Sequence, residues 1–136
     1  ESSWKELRAG TELLDAATHD AEMAWRSHLP HVLSSALAVT LREAGIRRSA
    51  LGPGGRDMTR LAGSSTAMWS AIVADNASAV AEAVAACELQ LRTFREAIER
   101  GDHAVTRELL AAGCDWFDGT PEATPGEVLT PQEADA

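Results

Sequence analysis

Seven residues, Ala77, Val80, Val84, Cys87, Leu91, Phe94 and Ile98, recur in strictly alternating steps of three and four. A strand sends successive side chains to opposite faces, so only a helix gathers such a set into one seam. The stretch therefore predicts a long helix packed lengthwise against a partner helix. Alanine is abundant in the central segments and aromatic residues make up 4% of the chain, which points to an all-α fold.

A second long helix is expected from Thr18, as N-cap with Asp20 and Glu22 in the first turn, to about Ala44, with Gly45 as its stop. Leu29, Val32, Leu33, Ala36, Leu37, Thr40 and Leu41 recur at helical spacing and predict one buried face. This helix carries an anomaly, Ser27-His28-Leu29-Pro30-His31. An internal proline removes a donor and clashes with the preceding turn, at roughly 3 kcal/mol. The carbonyl of Arg26 loses its partner, and a kink is expected there.

Gly52-Pro53-Gly54-Gly55 reads as a loop that permits close approach, followed by a short helical turn from Asp57 to Leu61. Ser65 is expected to cap a helix over Met68, Trp69, Ile72 and Val73, and Asn76 to restart the chain into the long seam helix. Gly101 should end that helix, and Asp102 should cap a last one reaching about Trp116. At the start, residues 2–15 read as a short helix and a short strand, which cannot form a sheet alone. They look like the end of a larger preceding domain, and the opening Glu1 fits a fragment. Residues 16–116 then form the helical domain. Residues 117–136, acidic and proline-containing, are expected to be disordered.

The net charge of −9 argues against nucleic acid, whose phosphates need a concentrated basic surface. Arg42, Arg47, Arg48, Arg56 and Arg60 nevertheless cluster against only Glu43 and Asp57, which suits a small anion. No apolar run approaches the length of about 20 residues that spans a bilayer, and no signal peptide is evident. With two unpaired cysteines, Cys87 and Cys114, both read as packing residues, a reduced cytoplasmic setting is the expectation.

Arg60 and Arg56 stand four apart, and a guanidinium fork suits a carboxylate, although on spacing alone a solvated helix face paired weakly with Asp57 is modestly favoured. His28 and His31 could offer two nitrogens to a metal, fill a core, or bind a ligand. His19 beside Asp20 is read as capping, and Trp69 as core. The glycine run has neither the Gly-Lys-Ser/Thr ending of a phosphate loop nor a preceding strand, so nucleotide binding is not expected there.

Taken together, His19-Asp20, Ser27-His28-Leu29-Pro30-His31, the Gly52 to Arg60 run, Met68-Trp69 and Asn76 resemble, in order and spacing, the C-terminal helical domain of prephenate dehydrogenases and the related arogenate and cyclohexadienyl dehydrogenases. The resemblance covers roughly His19 to Trp116. It implies an all-helical homodimerisation domain that closes one wall of the active site, next to an N-terminal dinucleotide-binding domain holding NAD or NADP and the catalytic histidine. Such enzymes of tyrosine biosynthesis oxidatively decarboxylate prephenate to 4-hydroxyphenylpyruvate. It also implies that His31 and Arg60 contact the anionic substrate, prephenate or arogenate, with Trp69 close to Arg60 and with His28, Asp57, His19 and Asp20 in support. It assigns this chain no metal, no catalytic residue and no cofactor residue of its own; alone it should be inactive. Tyrosine is an inhibitor to consider. Two departures stand out: Gly55 replaces a usual aromatic, and Thr66 lies where a proline is common. The competing expectations are a non-catalytic helical dimerisation or small-molecule regulatory module, and a metal protein using His28 and His31.

Overall fold

The computed structural model describes residues 15–119, and every regular element among them is helical. Helix α1 covers residues 15–23, a π-helical turn follows over Ala24–His28, and α2 runs from Leu29 to Glu43. A 3-10 turn at Arg48–Ala50 leads to α3, Pro53–Thr59, and a second 3-10 turn occupies Arg60–Gly63. Then come α4, Thr66–Asp75, α5, Ala77–Glu99, and α6, His103–Phe117. The chain divides into two compact units, the first ending at Leu89 and the second beginning at Gln90. The expected short helix and strand lie outside the described residues except for Asp15, read as the strand's last residue and found helical; the acidic tail past Gly119 lies outside them too.

The stops and caps of the later helices are local, and the sequence announces them. Gly45 and Gly101 adopt φ of 77° and 67°, the left-handed conformation that side chains with a Cβ avoid. At Gly45, its own N–H bonds to Arg42 O at 2.9 Å and Ile46 N–H reaches Leu41 O at 2.9 Å, satisfying the last carbonyls of α2. Ser65 Oγ accepts from Met68 N–H at 3.3 Å, and Asp102 Oδ1 from Val105 N–H at 3.1 Å, so α4 and α6 are capped as expected. Helices α4 and α5 are separated only by Asn76 and turn through 96° there.

Four expectations need correction. The first long helix does not start at Thr18, because residues 15–17 are already helical; Asp15-Ala16-Ala17 is rich in the best helix former. Its irregularity precedes Pro30 instead of sitting on it. Leu29 N–H donates to Ala24 O, five residues back, and this wider turn gives the pyrrolidine ring room against the preceding carbonyls. Thirdly, Gly54 and Gly55 are not a loop. Gly52 is an extended N-cap and Pro53 opens α3, a position where its fixed φ and missing donor are harmless.

The fourth correction concerns what is buried. Ala24, His28, His31 and Ser34 form the covered face of the π turn and α2, while Leu29, Val32, Leu33, Leu37 and Leu41 are only half-buried and Ala36 and Thr40 are exposed. Polar residues occupy the interior because each finds a neighbour there. Ser34 Oγ accepts from Ala62 N–H at 3.2 Å, joining α2 to the Arg60–Gly63 turn packed on it. In the seam of α5, Val80 is buried, Val84, Cys87 and Phe94 are half-buried, and Leu91 and Ile98 are exposed. Cys114 is exposed also, so it is no packing residue. Among the described residues no large side chain is fully buried; the apolar core is Ala24, Val80, Ala83 and Ala97.

Removing the Ser34 hydroxyl strands the Ala62 N–H. Ser34→Ala is expected to lower stability by about 1 to 2 kcal/mol, read as an earlier midpoint in urea unfolding. An unchanged midpoint would show that the turn is held by other means.

Candidate functional site

The covered face of α2 points its imidazoles at α4. Trp69, on the second turn of α4, lies flat on His31, with ring centroids 3.7 Å apart and planes 9° from parallel. It meets His28 edge to face at 6.0 Å and 82°. Trp69 is thus half-buried between two histidines and is not the core residue its type suggested. Stacking and edge contacts of this kind fix ring orientation beyond simple area burial.

His31 is 7% exposed, and its Nδ1 is buried without a hydrogen-bond partner among the described residues. Such an atom in an interior is costly. Burial holds its pKa below the ordinary histidine range, because water is withdrawn from the charged form. Burial thus favours the neutral imidazole, which carries one donor and one acceptor nitrogen. The ring opens on a cavity of about 460 Å³ lined also by Ser35, Ser64, Thr66, Trp69 and Ser70. The lining mixes these hydroxyls and the indole with Val32, Val73, Ala74 and Ala77, which suits a compact ring compound with polar substituents.

Arg60 is exposed, at the start of the 3-10 turn, and lines a neighbouring cavity of about 510 Å³ with Arg48, Leu41, Ile46, Leu51 and Thr59. Ala62 borders both cavities, so one turn of chain separates the two walls. The arginines here are laced to the backbone: Arg48 Nη2 donates to Arg56 O at 3.3 Å, and Arg56 Nη2 to Ser49 O at 3.4 Å. That leaves Arg60 as the cation best placed toward the cavity. Asp57 is exposed on α3 and makes no ion pair with a described residue. Leu51 lies against Gly55, where an added Cβ would fall 3.1 Å from Leu51 Cβ. The leucine thus occupies the side on which an aromatic at Gly55 would have to grow.

His19 and Asp20 are exposed on α1, well inside the helix and not at its cap. The backbone carbonyl of Asp20, not its carboxylate, is what contributes: it accepts from Asn76 Nδ2 at 2.8 Å. The same amide nitrogen lies 3.2 Å from His28 Nδ1. Sequence reasoning assigned Asn76 no role beyond restarting a helix, although a polar amide at a helix break was the available signal. Of the seven expected residues the structure groups His31, Trp69 and His28; it sets Arg60 in the adjoining cavity and Asp57 and His19 on the surface. No group of three His, Cys, Asp or Glu side chains converges among the described residues, and no single helix there is long and apolar enough to cross a membrane.

Comparison with known proteins bears on this geometry. The family described as prephenate dehydrogenase, dimerization domain, matches residues 15–112. A cyclohexadienyl dehydrogenase of Zymomonas mobilis is 30% identical over 106 residues, which covers 73% of this chain and 36% of that protein. The crystal structure of Synechocystis arogenate dehydrogenase superposes with a TM-score of 0.67 at 20% identity, over 86% of this chain and 48% of that one, and shows the same fold. The chain thus spans between a third and a half of the length of these relatives.

The lowered pKa of His31 has a signed consequence for stability. Between its folded value and the unfolded value of about 6.5, the unfolded chain binds the extra proton, so stability is complete above that range and declines as pH falls through it. Unfolding midpoints are expected to drop more between about pH 7 and about pH 5 in the parent than in His31→Gln. Identical slopes would mean that burial does not govern this ring.

Proposed function

Because the chain belongs to the prephenate dehydrogenase dimerization-domain family, we propose that it is the substrate-facing, dimer-forming part of an enzyme that oxidatively decarboxylates prephenate or arogenate. The observation that carries this reading is the buried His31 ring, stacked on Trp69 at the edge of a cavity whose lining mixes serine and threonine hydroxyls with apolar side chains. A neutral imidazole carries one ring N–H, which donates to a substrate carboxylate or carbonyl oxygen, while Trp69 keeps the ring from turning away. Arg60 supplies the positive charge that a dianionic substrate needs in a protein of net charge −9. Division of labour follows: the neutral donor orients, and the exposed guanidinium attracts.

The described residues do not fit a dinucleotide. No strand precedes Gly52–Gly55, and those glycines lie at the start of α3. NAD or NADP, and the histidine that acts on the ring hydroxyl, are assigned to a second domain. The setting proposed is tyrosine biosynthesis in the cytoplasm, with tyrosine, the related amino acid, as an inhibitor at the same wall.

A homodimer is the second part of the proposal. Leu91 and Ile98 on α5 and Leu110, Trp116 and Phe117 on α6 are exposed, with Trp116 at 81% and Phe117 at 83%. Covering a leucine, isoleucine or phenylalanine is worth about 1.5 to 3 kcal/mol each. A second copy supplies the surface to do it.

Two outcomes test these readings. In the intact enzyme, Arg60→Ala and His31→Ala are each expected to raise KM about tenfold to a hundredfold, as loss of a charge-assisted or buried hydrogen bond worth roughly 1.5 to 3 kcal/mol; unaltered KM and inhibitor constants in both variants reject the wall. Leu91→Glu combined with Ile98→Glu is expected to give a monomer in sedimentation, with helical circular dichroism kept. A dimer of unchanged strength rejects that face as the interface.

A further inference from the structure

Asn76 is the single residue between α4 and α5, and its side chain reaches back to α1 and the π turn. The orientation of its amide is fixed by chemistry. The atom 2.8 Å from Asp20 O faces a carbonyl that can only accept, so it must be the nitrogen; the flipped amide would set two oxygens against each other. That NH2 group also lies 3.2 Å from His28 Nδ1. With one hydrogen given to Asp20 O, the other points at His28, whose Nδ1 must therefore be a bare acceptor. Neutral His28 then carries its hydrogen on Nε2. A proton on Nδ1 would face a donor.

From His28 the contact passes to Trp69 edge to face, and from Trp69 to His31 by stacking. We infer that Asn76 is a positioning residue: it locks His28 in the Nε2–H tautomer and, through the His28–Trp69 contact, sets the orientation in which Trp69 holds His31. The inference takes from the reading above that His31 and Trp69 form the binding wall; the tautomer itself does not depend on it. Asn76 touches neither cavity's proposed ligand directly. Its effect is carried by ring geometry, since the indole is clamped between an edge contact and a flat contact, and moving one ring displaces the other.

The test is nitrogen-15 NMR of the chain with labelled histidines at about pH 8, where neutral tautomers dominate. His28 signals are identified by their loss in His28→Gln. In the parent, His28 Nδ1 is expected to resonate as an unprotonated ring nitrogen. In Asn76→Asp a carboxylate faces the ring and can only accept, so Nδ1 is expected to move to the protonated range, and the upfield ring-current shift that the indole gives the His31 ring protons is expected to change with it. In Asn76→Ala, which places nothing against Nδ1, the parent tautomer loses its enforcement and the His31 shift moves in the same sense. A protonated Nδ1 in the unsubstituted chain overturns the tautomer lock without reference to any variant. His31 signals that stay put in both variants overturn the positioning role. Neither readout uses substrate, so failure here is separable from failure of the proposed activity, which the KM values of the Arg60 and His31 variants decide.

Discussion

The missing N–H of Pro30 is the constraint from which much of the first unit follows. A helix can meet it by bending, by stopping, or by changing its hydrogen-bond register ahead of the ring. This chain takes the third course. The π turn over Ala24–His28 admits the proline at the second position of α2, and the chain stays helical on both sides. That continuity lets Ala24, His28, His31 and Ser34 share one covered face, along which two imidazoles meet one indole and a serine captures the next turn.

What the sequence disclosed depended on the range of the interaction. Caps and stops act within a few residues, and Ser65, Asp102, Gly45 and Gly101 were readable as such. The helical class was readable from the seam of α5 and the alanine content. The covered face of α2 was not, since hydrophobic spacing ranks leucine and valine above histidine and serine. His28, His31 and Ser34 are interior because Asn76, Trp69 and Ala62 N–H come to meet them from far along the chain. Glycine likewise misled at Gly54 and Gly55: its freedom suggested a loop, but Pro53 ahead of it set the dihedral that starts α3. Motif resemblance put His31, Arg60 and Trp69 in one pocket wall. Two of those rings do meet, which spacing alone left open, whereas Arg60 lines a separate cavity.

The two cavities differ in character. Both are largely aliphatic; one adds His31, Trp69 and hydroxyls, the other the guanidinium groups of Arg48 and Arg60. Charge attracts over distance but discriminates poorly, whereas a desolvated hydrogen bond rejects a ligand lacking the right atom. In the proposed reading, Arg60 on one side of Ala62 captures and His31 on the other selects.

Among the described residues, an interior made of alanines, one valine and four polar residues is a thin reservoir of folding free energy, since the hydrophobic term grows with the area withdrawn from water. Several larger apolar side chains, Leu91, Ile98, Leu110, Trp116 and Phe117 among them, lie exposed in the structure of the described residues. In the proposed homodimer, persistence of the fold becomes a question of mass action: the more dilute the protomer, the closer it stands to melting.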